Sequence, residues 1–279
     1  MLAFIHMPKA AGTTLSNILR RNFGRRHFDT RFFSNRPVFM ADDFRRVRWL
    51  YPSLVSIAGH GVTGTSDLAE VVPNIRYFTF LRDPLARLLS QYQFNWNCMP
   101  DSERSTWKPD EYFEQVILTK FNNVQSRMLA GDDGADAAIE FLQSNSVFVG
   151  MTESYNESLV RFRDWTGIED FDIRYRSVNR TSDISNDLRD AMKWRIANDH
   201  KLADRVALAN RDDIRLYDFA CEMYAEQRRA YGHRLSGDVA NFLDSQADNM
   251  ALQDEQLSSQ LYRNLVYKPL RKWIFKNAA

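Results

Sequence analysis

Residues 4–16 read FIHMPKAAGTTLS, and the reading of the whole chain starts from them. Leu2, Ala3, Phe4 and Ile5 predict a short buried strand. Pro8 stops it, Lys9, Ala10 and Ala11 make a turn of mostly small residues, and Gly12-Thr13-Thr14 opens a helix. Leu15, Ile18, Leu19 and Phe23 recur at i, i+3, i+4 and i+8, one apolar stripe on a 3.6-residue period. A strand that turns straight into a helix start leaves backbone N–H groups unpaired and converging, and the helix dipole adds positive potential there. Lys9 contributes a full charge, and Thr13 and Thr14 contribute hydroxyl donors. The combination suits an anion, above all a phosphate. An ordinary strand-turn-helix with a surface lysine would also fit this stretch taken alone.

The order of residues excludes one familiar phosphate loop. GxxxxGK[ST] places its lysine after the last glycine, whereas Lys9 precedes Gly12. A second stretch, Thr79 to Tyr92, reads TFLRDPLARLLSQY. Residues 75–81 predict a strand from their β-branched and aromatic content, bounded by Pro73-Asn74 and Asp83-Pro84. Asp83 is then an N-cap and Pro84 the first helical residue. Arg82 falls at the carboxyl end of that strand, where open α/β sheets collect ligands. Ser90 follows about two helical turns later, so a guanidinium and a hydroxyl could grip a second phosphate. Asp83, Pro84, Arg87 and Tyr92 read as cap, helix start, an i,i+4 partner for Asp83 and packing.

Together the two stretches resemble the PAPS-dependent carbohydrate sulfotransferases. Pro8-Lys9-x-x-Gly12-Thr13-Thr14 is similar to that family's 5'-phosphosulfate loop, and Arg82, Asp83, Pro84, Arg87, Ser90 and Tyr92 match its RDPxxRxxSxY pattern for the nucleotide 3'-phosphate. The resemblance covers roughly residues 1–225. It implies an enzyme that takes PAPS as co-substrate, needs no metal, and holds the donor through Lys9, Ala10, Ala11, Gly12, Thr13 and Thr14 at one end and Arg82 and Ser90 at the other. His60, in Ala58-Gly59-His60-Gly61, matches the general base of the uronyl 2-O-sulfotransferase branch. This chain lacks the His-Gly-His pair of the animal enzymes, which leaves room for a carboxylate instead. Arg180, in Asn179-Arg180-Thr181, lies where members carry a basic loop over the nucleotide. Arg127, in NVQSRMLAG (123–131), is the candidate contact to an acidic acceptor.

Composition bounds the rest. At 279 residues, with 44% hydrophobic and 26% charged content, the chain is ordinary globular protein. A net charge of +1 does not single out nucleic acid as a partner. Nine arginines between Arg20 and Arg48 face only Asp29, Asp42 and Asp43, which reads as a solvated face or as a site for an anionic ligand, an acidic polysaccharide included. Two cysteines, Cys98 and Cys221, give neither a disulfide framework nor metal-ligand spacing. No apolar run spans a membrane, and Met1 lies almost against the loop, so a cytoplasmic location is expected.

Strands are predicted at 2–5, 54–58, 75–81 and 147–150, with a weaker candidate at 28–33 and a strand or extended loop at 173–178, and helices alternate with them. Residues 98–109 read as a polar loop, 66–72 as a short helix, and everything from 185 onward as helical. The pattern predicts an α/β, P-loop-like three-layer fold: a central parallel sheet flanked by helices, plus a helical C-terminal extension. The expected division is a sulfotransferase domain over 1–232 and an extension over 233–279, packed on the domain or on a partner subunit. Its basic, aromatic end (Tyr262, Trp273, Phe275) could also meet a membrane surface. Two rival functions fit parts of the chain: a P-loop-like kinase or NTPase, which leaves the Arg82–Ser90 pair unexplained, and a non-catalytic glycan-binding protein on the same fold.

Overall fold

A computed structural model describes residues 1–30, 37–176, 187–246 and 257–270. Five parallel strands form one sheet: β1 (Leu2–Ile5), β2 (His27–Asp29), β3 (Ser56–Gly59), β4 (Arg76–Leu81) and β5 (Phe148–Met151), in the order β2-β3-β1-β4-β5. The register places Ile5 beside Gly59 on one side and beside Thr79 on the other. From β1 the chain goes to one side through β2 and β3, then crosses to β4 and β5 on the other. The carboxyl end of β1 is therefore the point where the winding reverses, the crevice in which such sheets bind ligands.

The strands are apolar on both faces, as a sheet covered on both sides requires. Ala3, Ile5, Ile57, Tyr77, Leu81, Val149 and Met151 look to one face, packed with Phe44 and Val47 of α2 (Ala41–Leu50) and with Ala138, Leu142, Leu216 and Ala220. Leu2, Phe4, Ala58, Phe78, Phe80 and Phe148 look to the other, against Leu15, Ile18 and Leu19 of α1 (Gly12–Phe23) and Leu159 and Phe162. A third cluster surrounds Leu88, Leu89 and Tyr92 of α3 (Pro84–Cys98), closed by Phe113, Ile117, Met192, Ile196, Leu202 and Val206.

Further along, α4 (Val124–Ala130) and α5 (Gly134–Ser144) precede β5, and α6 (Tyr155–Thr166) follows it. Among the described residues the later chain is helical as expected: α7 (Asp187–Asn198), α8 (His200–Ala209), α9 (Arg211–Tyr231), α10 (Arg234–Ser245) and α11 (Leu257–Tyr262). Leu235 and Phe242 of α10 bury into the α1 face, while Tyr267 beyond α11 buries beside Phe28 and Tyr51.

Two local expectations are corrected. The loop at 98–109 contains a helical turn, Asp101–Arg104, tied down by Arg104 donating to the Met99 carbonyl. The helix expected over 66–72 shrinks to a single 3-10 turn, Leu68–Glu70. The described part of 173–178 takes the extended-loop alternative: Arg21 and Asn22 of α1 hold the neighbouring Asp172 by side-chain hydrogen bonds, and no ladder forms. Of the 28–33 candidate, Phe28 and Asp29 end β2, Thr30 follows it, and 31–33 lie outside the described residues.

Candidate active site

Lys9 and Ala11 both take left-handed backbone conformations, φ 66° and 57°, unusual for residues with a Cβ. They curl the chain between β1 and α1, and no side chain caps the helix that follows. The first-turn N–H groups are therefore left without a side-chain partner. Ala10 is buried, Gly12 and Thr14 are buried, and Thr13 is exposed. Of the two threonines, only Thr13 stands in the open.

Gly12 has a steric reason. A Cβ there would lie 2.0 Å from Cδ2 of the His6 ring, so the imidazole occupies the space a side chain would need. That ring stacks on Phe4 at 5.3 Å and meets the ring of His60 at 4.2 Å between centroids.

Lys9 Nζ sits 4.0 Å over the Phe94 ring of α3, a cation–π contact. Burial first, then the nearby Arg82 charge, lowers its pKa from the usual lysine value. Arg82 follows β4 directly, and its Nη1 donates to the Lys9 carbonyl at 2.9 Å. No carboxylate lies within ion-pair distance of either cation among the described residues. Two half-buried positive charges side by side, each disfavoured by desolvation, are what an anion would relieve. Ser90 is half-buried on α3. It lies one turn before Phe94, hence on the helix face that meets Lys9.

His60 follows β3 immediately. At Gly59 (φ 147°) a Cβ would meet the Thr30 side chain at 2.3 Å, so the chain can turn there only with glycine. His60 Nδ1 lies 2.7 Å from the His6 carbonyl. A carbonyl only accepts, so Nδ1 carries the proton and Nε2 holds the basic lone pair. Burial lowers the His60 pKa, partly offset by that hydrogen bond. Adjacent strands are about 4.8 Å apart, so His60 and Arg82, on the two neighbours of β1, flank the loop roughly 10 Å from one another.

The support behind Arg82 was not legible in sequence. Gln125, fully buried, accepts from Arg82 N and donates to Arg82 O, both at 2.9 Å. Buried Asp213 in turn accepts from the backbone N–H groups of Gln125 and Ser126 and from the Ser126 hydroxyl. Asp83 caps α3 by accepting from Ala86 N at 2.7 Å, as expected. Arg87 departs from expectation: instead of pairing with Asp83 it is fully buried, with Nε 3.8 Å from Asp213 and Nη2 donating to the Phe121 carbonyl. Burial brings its pKa down to about 10.

The outlying candidates sort differently. Arg127 donates to the carbonyls of Lys120 and Asn122, bracing the turn before α4, and touches none of Lys9, His60 or Arg82. Arg180 lies outside the described residues. Arginines of the basic run have internal partners: Arg20 pairs with Asp29, Arg21 with Asp172, Arg45 with Asp42, and Arg25 stacks on Tyr262. His6 and Gln125 are the site residues that sequence reasoning missed. Pairing β1 with β3 in register would have set His6 beside His60.

No helix among the described residues is long and apolar enough to cross a membrane. A search of curated proteins returns no match. A family model described as "Sulfotransferase family" matches residues 1–220, which include the Lys9 loop, His60, the Arg82–Ser90 stretch and all five strands. With that match over most of its length, and a parallel sheet carrying both motifs at one end, the chain belongs to the sulfotransferase family.

Proposed function

We propose that this sulfotransferase takes its sulfuryl group from PAPS and passes it to a hydroxyl of a carbohydrate acceptor, with His60 as general base. The observation that carries the reading is the hydrogen bond from Arg82 to the Lys9 carbonyl. It holds the two anion-binding elements together at the carboxyl end of the sheet, beside an imidazole whose tautomer is fixed.

In the transfer, the acceptor oxygen attacks sulfur in line with the bond from sulfur to the bridging phosphate oxygen. His60 Nε2 takes the hydroxyl proton as the new oxygen–sulfur bond forms. The old bond breaks, and the electron pair stays on the 5'-phosphate. Lys9, Thr13 and the backbone N–H groups of 11–14 face the charge that grows there, while the Ala10 N–H is bonded to the Met7 carbonyl; the step as written therefore calls on no metal. Arg82 and Ser90 bind the 3'-phosphate, remote binding that orients the donor. The acidic-polysaccharide version of the acceptor draws no support from Arg20, Arg21 or Arg45, whose charges are neutralised internally. A neutral sugar hydroxyl is equally compatible with the site.

Transfer of labelled sulfate from PAPS across a panel of neutral and uronic-acid glycans tests the proposal. His60→Ala should lower turnover by about 10²-fold or more while adenosine 3',5'-bisphosphate still binds without Mg²⁺. Normal turnover in that variant removes His60 as the base. Binding of ATP–Mg²⁺ in preference to the bisphosphate would overturn the donor assignment.

A further inference from the structure

His6 has no part in the chemistry above, yet it touches both halves of it. Its main-chain carbonyl accepts the His60 Nδ1–H at 2.7 Å. Its ring is sandwiched between Phe4 (5.3 Å) and His60 (4.2 Å). Its edge fills the space beside Gly12 so closely that a Cβ there would come within 2.1 Å of Nε2. Gly12 is the first residue of α1, in the loop that faces the donor's leaving group. One residue thus abuts the helix start that holds the donor and supplies the acceptor atom that orients the base.

We infer that His6 is a positioning residue, a wedge that ties the donor loop to the orientation of His60, so that displacing the wedge from either side misdirects the base. This rests on the reading of His60 as base, although the contact itself does not.

The physical logic is that of a nucleophile–base pair oriented by a third group, with a peptide carbonyl in the third place. A base whose Nδ1–H is anchored keeps Nε2 aimed; released, the imidazole samples both tautomers and other rotamers. A peptide carbonyl is aimed only as well as its own residue is held. Here the hold is the ring, pinned by Phe4 beneath, His60 beside and the Gly12 backbone at its edge. The ring keeps a neutral face toward His60, because burial, and next the neighbouring His60, lower its pKa to about 3. The charged groups nearest to it, Asp29 and Arg20, are paired with each other at 2.7 Å. A shape role rather than a proton role follows, and phenylalanine should serve nearly as well as histidine.

The test uses the full chain labelled with ¹⁵N-histidine, and reads the His60 ring nitrogens by NMR, alongside turnover. Wild type should show His60 as the Nδ1–H tautomer. His6→Ala should move it toward the mixture of a free imidazole and lower kcat about 10-fold or more. Gly12→Ala, by driving the ring out, should disturb the His60 signals in the same way. The double variant should be no worse than His6→Ala alone, since the removed ring makes room for the added methyl. His6→Phe should retain the wild-type tautomer and turnover within about 3-fold, and it serves as the folded reference if the alanine variant is unstable. Unchanged His60 signals in His6→Ala, additive losses in the double variant, or a His6→Phe as impaired as His6→Ala would each overturn the wedge. If instead His60→Ala proves active, the base assignment falls, while the NMR comparison still decides whether His6 orients His60.

Discussion

In the proposed role of base His60 must be neutral, and its surroundings favour that form. Burial lowers its pKa below the ordinary histidine value near 6.5, and the His6 carbonyl offsets part of that effect. The sign follows directly. Raising the pH deprotonates Nε2 and turns the base on, so kcat/KM should be flat through neutrality and decline on the acid side, ten-fold per unit once below the His60 pKa. A pH–rate profile with its acid limb under pH 6.5 is the expected result. A limb centred above pH 7 would point to a different base. At this scale the sequence displayed Lys9, His60 and Arg82 as residue types at strand ends, because single polar residues after apolar runs are easy to see. It could not display Gln125, whose amide reaches across 43 positions to clamp Arg82.

That clamp belongs to the scale of elements. β4 ends at Leu81 and α3 begins at Pro84, leaving Arg82 and Asp83 as a two-residue joint. Asp83 is fixed by its cap to Ala86 N, and its own N–H donates to Glu153. Arg82 is fixed by Gln125 from α4, and α4 is anchored in turn by Asp213 of α9. The Arg82 backbone is thus held by α3, α4 and α9 as well as by its own strand. Gln125→Ala should leave the Arg82 backbone N–H and C=O unpaired in a half-buried place, at about 1–3 kcal/mol of stability. It should also weaken binding of adenosine 3',5'-bisphosphate several-fold without touching the ligand. Calorimetric titration and urea unfolding of this variant check both. Unaltered affinity together with unaltered stability would show that α4 does not hold the joint. The cap and the Pro84 start were legible, since Asp-Pro after a strand has a local physical meaning. The Arg87–Asp213 pair was not, because a local i,i+4 partner is always the nearer inference than a carboxylate on a helix far along the chain.

At the scale of the molecule, β1 is the axis. It is buried throughout, flanked on both sides by parallel strands, and it delivers the loop, the His6 carbonyl and the His6 ring to one end. The parallel sheet was predictable from alternating strands and helices, while the strand order was not, since a chain that crosses over β1 leaves no mark in its own residues. Placing two imidazoles at that end also sets how the fold responds to acid. The unfolded chain protonates His6 near pH 6.5, but the folded chain does so only near about 3, because the buried ring resists charge. Between those limits the unfolded state binds more protons, so stability is full above pH 6.5 and is lost as the pH falls toward 3. For His6 alone the loss from pH 7 to pH 5 is about 2 kcal/mol, with a further loss of the same sign from His60. Asp29, held well below the usual carboxylate range by His27 and Arg20 against the opposing effect of burial, adds its own loss only under pH 4. Urea midpoints at pH 7, 6 and 5 stay above the Asp29 range, although the N-terminal amine, its pKa lowered by burial and Arg76, adds a loss of the same sign, so it is the comparison with a His6 variant that isolates the ring. The wild-type chain should weaken steadily over that range, and His6→Phe, which cannot take up a proton, should lose clearly less. Parallel curves for the two proteins would mean that the His6 ring is far better solvated than its place between Phe4, Gly12 and His60 allows.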